Sequence, residues 1–194
     1  GEASALAKIL AIIGSRDSGK TTVGEYLARQ LTERGFRVGA IKHVHTPDFT
    51  MDVEGKDTWR YRHAGAGVVA CVAEREVTVI RGVDEDRSLE TILSYMCSSQ
   101  LDIVLMEGLR SESAQRTDIC KIVTARTPED LEETLRRVAG PILAATGLIA
   151  SGERGHQLVG LPLIDLGTDG ARLVELVQSE LSSRRAARPH SESA

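Results

Sequence analysis

The sequence predicts an α/β fold, a P-loop NTPase-type three-layer sandwich whose sheet is mostly parallel with one short antiparallel hairpin. Three observations carry that expectation. Short apolar runs alternate with amphipathic stretches along most of the 194 residues, as they do where a sheet is built by strand–helix crossovers. The segment Gly14-Ser15-Arg16-Asp17-Ser18-Gly19-Lys20-Thr21 fulfils G-x-x-x-x-G-K-[ST] between an apolar run and a helical one. Asp102-Ile103-Val104-Leu105-Met106-Glu107-Gly108 reads as a buried strand that ends in an acid and a glycine, the second half that such a phosphate site needs.

The elements follow in order. Residues 9–13 form the first strand and 22–31 the first helix, with Gly35 as its stop and a second strand over 37–42. Residues 43–56 are polar and fit neither period. Asp57 caps a short helix through Ala64, which Gly65 or Gly67 ends. The β-rich runs 68–72 and 77–80, parted by Ala73-Glu74-Arg75-Glu76, suit a hairpin. A helix over 88–97 leads to buried strands over 103–106 and 120–124. Thr127 caps the helix 128–138, with Pro128 at its first position. Residues 142–145 and the segment Leu163-Ile164-Asp165-Leu166 supply further strands, and 168–181 a closing amphipathic helix. Residues 1–183 are expected to form a single nucleotide-binding domain, with a loose start over 1–5 and a disordered tail over 184–194.

Composition narrows the function classes. Hydrophobic residues make up 41% and charged residues 27%, the balance of a soluble globular protein. A net charge of −4 argues against nucleic-acid or membrane binding through a generally basic surface, so an anion site must be local. Three cysteines, Cys71, Cys97 and Cys120, give neither a C-x-x-C pair nor a disulfide framework, which points to a reducing cytoplasm. No apolar stretch approaches the roughly 18 residues of a membrane span, and no secretory signal opens the chain.

The site chemistry follows from the loop. Its glycines let the backbone curl around a phosphate chain at a helix N-terminus, where a partial positive charge helps. Lys20 would reach the β- and γ-phosphates, and the Thr21 hydroxyl would complete Mg²⁺ coordination. Glu107 either holds that metal through water or orients the attacking water; both roles stay open. Lys42, His43, His45, Asp48, Asp52, Lys56 and Asp57 make a mixed-charge cluster that suits a switch loop near a γ-phosphate. A metal at His43 and His45, or a merely solvated loop, are the competing readings.

With those residues in view, the chain resembles the MobB family of molybdopterin-guanine dinucleotide biosynthesis accessory proteins. The match lies in Gly14 to Thr22, in Ile41-Lys42-His43-Val44-His45, in Asp52-Val53-Glu54-Gly55-Lys56-Asp57-Thr58-Trp59-Arg60 with Ala64-Gly65-Ala66, and in Asp102 to Gly108. Cys120-Lys121-Ile122 stands where the family has Pro-Lys-Ile, and Val44 and Thr46-Pro47 stand where it often has histidine. The resemblance runs from about residue 7 to 125. It implies GTP as ligand, slow hydrolysis, Mg²⁺, homodimers and assistance to the molybdopterin guanylyltransferase, with molybdopterin a ligand shared with that partner. It also implies that Gly14, Ser15, Arg16, Asp17, Ser18, Gly19, Lys20, Thr21 and Thr22 hold phosphates. Thr21 and Glu107 would then serve the metal, and Lys42, His43, Lys56 and Asp57 would face the γ-phosphate or the pterin. Lys20 and Glu107 are the residues implied in catalysis. The chain contains no asparagine, hence no N-K-x-D motif for guanine; Asp165, Asp169 or backbone carbonyls are the alternatives. Two other functions remain in play. One is a P-loop small-molecule kinase with Arg116 and Arg126 in a lid, the other a metal-insertion NTPase using His43, His45 and Cys71.

Overall fold

The computed structural model describes residues 7–82, 88–96, 100–151 and 157–185. In chain order its elements are β1 (Lys8–Gly14), α1 (Lys20–Glu33), β2 (Val38–Lys42), α2 (Asp57–His63), β3 (Val68–Val72), β4 (Val77–Arg81) and α3 (Leu89–Ser94). They continue with β5 (Ile103–Glu107), α4 (Arg110–Ser113), β6 (Cys120–Thr124), α5 (Pro128–Leu135), β7 (Ile142–Thr146), β8 (Gln157–Leu158), β9 (Leu161–Pro162) and α6 (Leu166–Arg185). The described residues divide into two compact units. One joins the chain up to His43 with the chain from Met96 onward, and the other is Val44–Tyr95.

The first unit is built on a five-stranded sheet in the order β2-β5-β1-β6-β7. All its pairings are parallel. A parallel sheet covered on both faces needs strands that are apolar on both faces, and residues 10–13 of β1 and 103–106 of β5 are buried without interruption. On one face Leu10, Ile12, Leu105 and Ile122 meet Val23, Leu27 and Leu31 of α1 and Leu173, Val174 and Val177 of α6. The spacing 23, 27, 31 is one stripe of a helix. On the other face Val123 and Ala145 meet Leu131 of α5 and Ala150 of a 3₁₀ turn, Leu148–Ala150. Each large aliphatic side chain fully buried there contributes about 1.5–3 kcal/mol. The register then sets the site: Ile12 and Lys42 both pair with Glu107, and Gly14 pairs with Thr124. Four strand ends therefore converge at the C-terminal edge, where open α/β sheets bind ligands.

In the second unit β3 and β4 form an antiparallel hairpin with Val69 opposite Ile80 and Val72 opposite Val77. The segment before α2 is tied to it by Asp52, whose Oδ1 accepts from the Thr58 hydroxyl at 2.7 Å and from the Val53 amide at 3.1 Å. Arg62 lies 3.8 Å from its Oδ2. Trp59 and His63, one turn apart on α2, stack with ring centroids 3.6 Å apart. Ser88 caps α3 by accepting from the Thr91 amide.

Several expected elements shift. Asp57 is not the cap of α2 but its first helical residue, because Lys56 takes the extended cap position. The helix expected to reach residue 138 ends at Leu135, after which Arg137 and Val138 donate to Thr134 and Leu135 in tight turns. The strand expected at residues 163–166 is not one. Leu163 makes a single parallel bridge to Ala145, while Leu161–Pro162 pairs with Gln157–Leu158. Asp165 accepts from the Gly167 amide at 2.9 Å, and its carbonyl accepts from Asp169, so α6 already starts at Leu166. That helix bends at Asp169 and runs to Arg185. The expected loose start and the rest of the tail, 186–194, lie outside the described residues, as do 97–99. Among the described residues no helix is long and apolar enough to cross a membrane.

Candidate functional site

Gly14 ends β1 where a side chain has no room, since a Cβ there would stand 2.2 Å from the Thr124 carbonyl oxygen. The chain then turns through Asp17 and Gly19, both at positive φ (58° and 98°), before α1 begins at Lys20. Ser18 is the buried pin of the turn. Its hydroxyl donates to the Ser15 carbonyl at 2.8 Å and shares a 2.6 Å hydrogen bond with the Thr124 hydroxyl. Gly147, just past β7 at φ 98°, seats the loop from below; a Cβ on it would lie 2.2 Å from the Ser18 carbonyl oxygen. Helix α5 holds the flank, where Asp130 Oδ2 accepts from the Ser15 hydroxyl at 2.7 Å and from the Arg126 amide at 2.8 Å.

The charged groups converge on this loop. Lys20 Nζ donates back to the carbonyls of Gly14, at 3.3 Å, and Ser15. Burial lowers its pKa, Lys42 and Arg110 add to that, and Glu107 and Asp17 oppose it. Thr21 Oγ1 donates to both Glu107 oxygens, at 3.1 and 3.0 Å. Lys42 Nζ donates to Thr21 Oγ1 at 3.2 Å and also to Glu107 Oε1. The Glu107 side chain is only 15% exposed. His43 joins through its backbone, donating to the Glu107 carbonyl at 2.9 Å. Its Cβ lies against Gly108, where an added Cβ would be 2.7 Å away. Arg16 and Asp17 face solvent beside one another, and Thr22 is exposed on the first turn of α1.

Lys56 and Asp57 belong to the second unit, where Asp57 stands 3.6 Å from Arg60. Arg116 forms a two-pronged pair with Asp118 before β6 begins, and its carbonyl accepts from Lys121 near the start of that strand. That is the end of β6 away from Thr124 and the loop, so Arg116 is not a lid residue over the phosphates. Arg126 does lie at the loop edge, paired with Asp130 at 3.6 Å. Among the described residues no group of three or more His, Cys, Asp or Glu side chains could hold a metal, which leaves the metal-insertion alternative without a ligand set there. Asp130, Gly147 and Thr124 escaped sequence reasoning. Each reaches the loop across more than a hundred residues, and only Thr127-Pro128 marked the helix that carries Asp130.

A parallel sheet whose central strand runs into a loop of this pattern, with an acid closing the neighbouring strand, is the architecture of P-loop α/β proteins. The family described as "Molybdopterin guanine dinucleotide synthesis protein B" matches residues 9–140. The molybdopterin-guanine dinucleotide biosynthesis adapter protein of Escherichia coli (strain K12) is 31% identical over 125 residues, 63% of this chain and 71% of its own length. The adapter protein of Haemophilus influenzae is 30% identical over 131 residues, 68% of this chain and 73% of its own length. A crystal structure of molybdopterin-guanine biosynthesis protein B superposes with a TM-score of 0.66 at 28% identity, covering 90% of this chain and 99% of that one. Bacillus subtilis MobB gives 0.67 at 26% identity, covering 89% and 97%. The chain belongs to the MobB family.

Proposed function

We propose that this chain binds GTP with Mg²⁺, hydrolyses it slowly, and acts as a homodimeric adapter to the guanylyltransferase in molybdopterin guanine dinucleotide synthesis. The observation that carries the nucleotide part is the convergence of Lys20, Thr21, Lys42 and Glu107 on one loop at the C-terminal edge of the sheet. The Thr21 hydroxyl and the Glu107 carboxylate stand close enough to serve one Mg²⁺, directly or through water. That ion would polarise the β- and γ-phosphate oxygens. Lys20 would leave the loop carbonyls for the phosphates, exchanging neutral acceptors for charged ones and so gaining binding energy. Slow turnover fits the arginines. Arg16 is 95% exposed and paired with Asp17, and slow turnover is the expectation where a stabilising arginine must come from a partner. Guanine selection would fall to backbone carbonyls, Asp165 or Asp169. The adapter role in molybdopterin-guanine dinucleotide biosynthesis is supported by the family and by the names its relatives bear, and the guanylyltransferase partner is carried by the resemblance alone.

Calorimetry tests this reading with GTP and ATP in Mg²⁺, on the wild type and on Lys20→Ala. The expected result is a GTP preference of about tenfold, roughly 1.4 kcal/mol, with binding lost in the variant. Binding that survives Lys20→Ala would refute the loop assignment, and an ATP preference would restore the kinase alternative.

A further inference from the structure

The Lys42 ammonium bridges the two side chains that a P-loop metal requires. Its Nζ lies 3.2 Å from Thr21 Oγ1 and donates to Glu107 Oε1. The Thr21 hydroxyl in turn spans both Glu107 oxygens. This placement is built into the sheet, because Lys42 and Glu107 are register partners on β2 and β5 and neighbouring strands direct paired side chains to the same face. The register therefore sets this lysine beside its acid. The first loop lysine is folded away as well, onto the carbonyls of Gly14 and Ser15. Both lysines are therefore held by acceptors of the protein itself.

We propose that Lys42 occupies the divalent-cation position in the nucleotide-free protein and must be displaced for the metal to enter. Mg²⁺ requires near-octahedral oxygen ligands at about 2.0–2.1 Å. It cannot take Thr21 and Glu107 while an ammonium holds the same two groups, both because the oxygens are engaged and because like charges repel. Nucleotide resolves the conflict. Its phosphates bring the oxygen ligands that the metal lacks and give the displaced ammonium a new anionic partner. The metal consequently enters with the nucleotide rather than ahead of it. By linkage, nucleotide and metal each strengthen the other's binding by the same factor. This inference rests on the proposed Mg²⁺–nucleotide reading of the site, and it assigns Lys42 a positioning role through Glu107 and Thr21.

Mn²⁺ titration of the nucleotide-free protein, followed by electron paramagnetic resonance, decides it. The wild type, Lys42→Met, Lys42→Gln and the double variant Lys42→Met/Glu107→Gln are compared after circular dichroism has confirmed matching folds. Lys42→Met and Lys42→Gln should bind Mn²⁺ about tenfold tighter than the wild type or better, and the double variant should lose that gain. Adding GTP should raise Mn²⁺ affinity strongly in the wild type and much less in Lys42→Met. Equal Mn²⁺ affinity in the wild type and both single variants would overturn the proposal, as would a gain that survives Glu107→Gln. If the wild type fails to bind GTP, the proposed function falls, while the nucleotide-free comparison still rules on Lys42.

Discussion

Asp130 shows how one carboxylate can hold a loop from a distant helix. Burial acts to raise its pKa, but the Ser15 hydroxyl, the Arg126 amide and the Arg126 guanidinium more than offset this, leaving it below the ordinary 3.8. A depressed folded-state pKa contributes stability that is full above the unfolded value and is lost as pH falls through the folded one. Asp130→Asn should therefore cost about 1–2 kcal/mol at pH 7, with nucleotide affinity falling several-fold as Ser15 loosens. In urea titrations the gap between wild type and variant should close as the pH drops below about 3.8. A gap independent of pH would mean that the carboxylate's charge plays no part. Lys121 is the opposite case. It interrupts an apolar run in the sequence, yet it is fully buried and donates to the carbonyls of Arg116 and Ile119 at 2.5 and 2.7 Å. Periodicity marks where a buried strand lies. It does not show that a cation within it is spoken for by the preceding turn.

The buried strands were legible because each reads as an unbroken apolar run, and the loop was legible because its residue pattern is local. Elements failed where a side chain competed with the backbone. Leu163 to Leu166 is as β-prone as any run, but Asp165 seizes the Gly167 amide and starts a helix instead. Contacts between distant elements left still less trace. Gly147 follows a strand as many glycines do, and nothing in its neighbourhood announces that it supports Ser18. Two glycines at positive φ separate this support from simple backbone freedom. Gly35 has φ 84° with nothing within 4 Å of an added Cβ, whereas Gly147 has φ 98° and meets Ser18 O at 2.2 Å and Ala125 O at 2.9 Å. Gly35→Ala should cost about 1 kcal/mol, and Gly147→Ala at least about 2 kcal/mol together with a marked loss of nucleotide affinity. Thermal melts and calorimetry on the pair check this. Equal penalties would mean that the loop does not rest on β7.

At the scale of the whole chain, alternation of strands and helices announced the parallel sheet, and an acid after a buried strand announced which edge carries the site. Strand order was not legible, because β2 and β1 are separated by a β5 that arrives some sixty residues later. The proposed homodimer rests on the family resemblance, and the second unit offers a physical reason for it. On one face of the β3–β4 hairpin the pairs Ala70–Val79 and Val72–Val77 stand side by side. Val72 is 74% exposed, Val77 63% and Val79 61%. Exposed valines scattered singly need no explanation, whereas a contiguous row on one sheet face exacts a hydration cost that a second copy would remove. Lysine at such positions keeps a solvent-facing strand soluble and resists edge or face association. The double substitution Val77→Lys/Val79→Lys should thus leave the monomer folded and shift sedimentation from dimer to monomer at micromolar protein. GTP affinity should stay unchanged, since Lys20, Thr21, Lys42 and Glu107 all lie in the first unit. A variant that remains dimeric would move the contact off the hairpin, and a monomeric wild type would remove the homodimer from the proposed function. Joint loss of the dimer and of GTP binding would show instead that the nucleotide site is completed only by association.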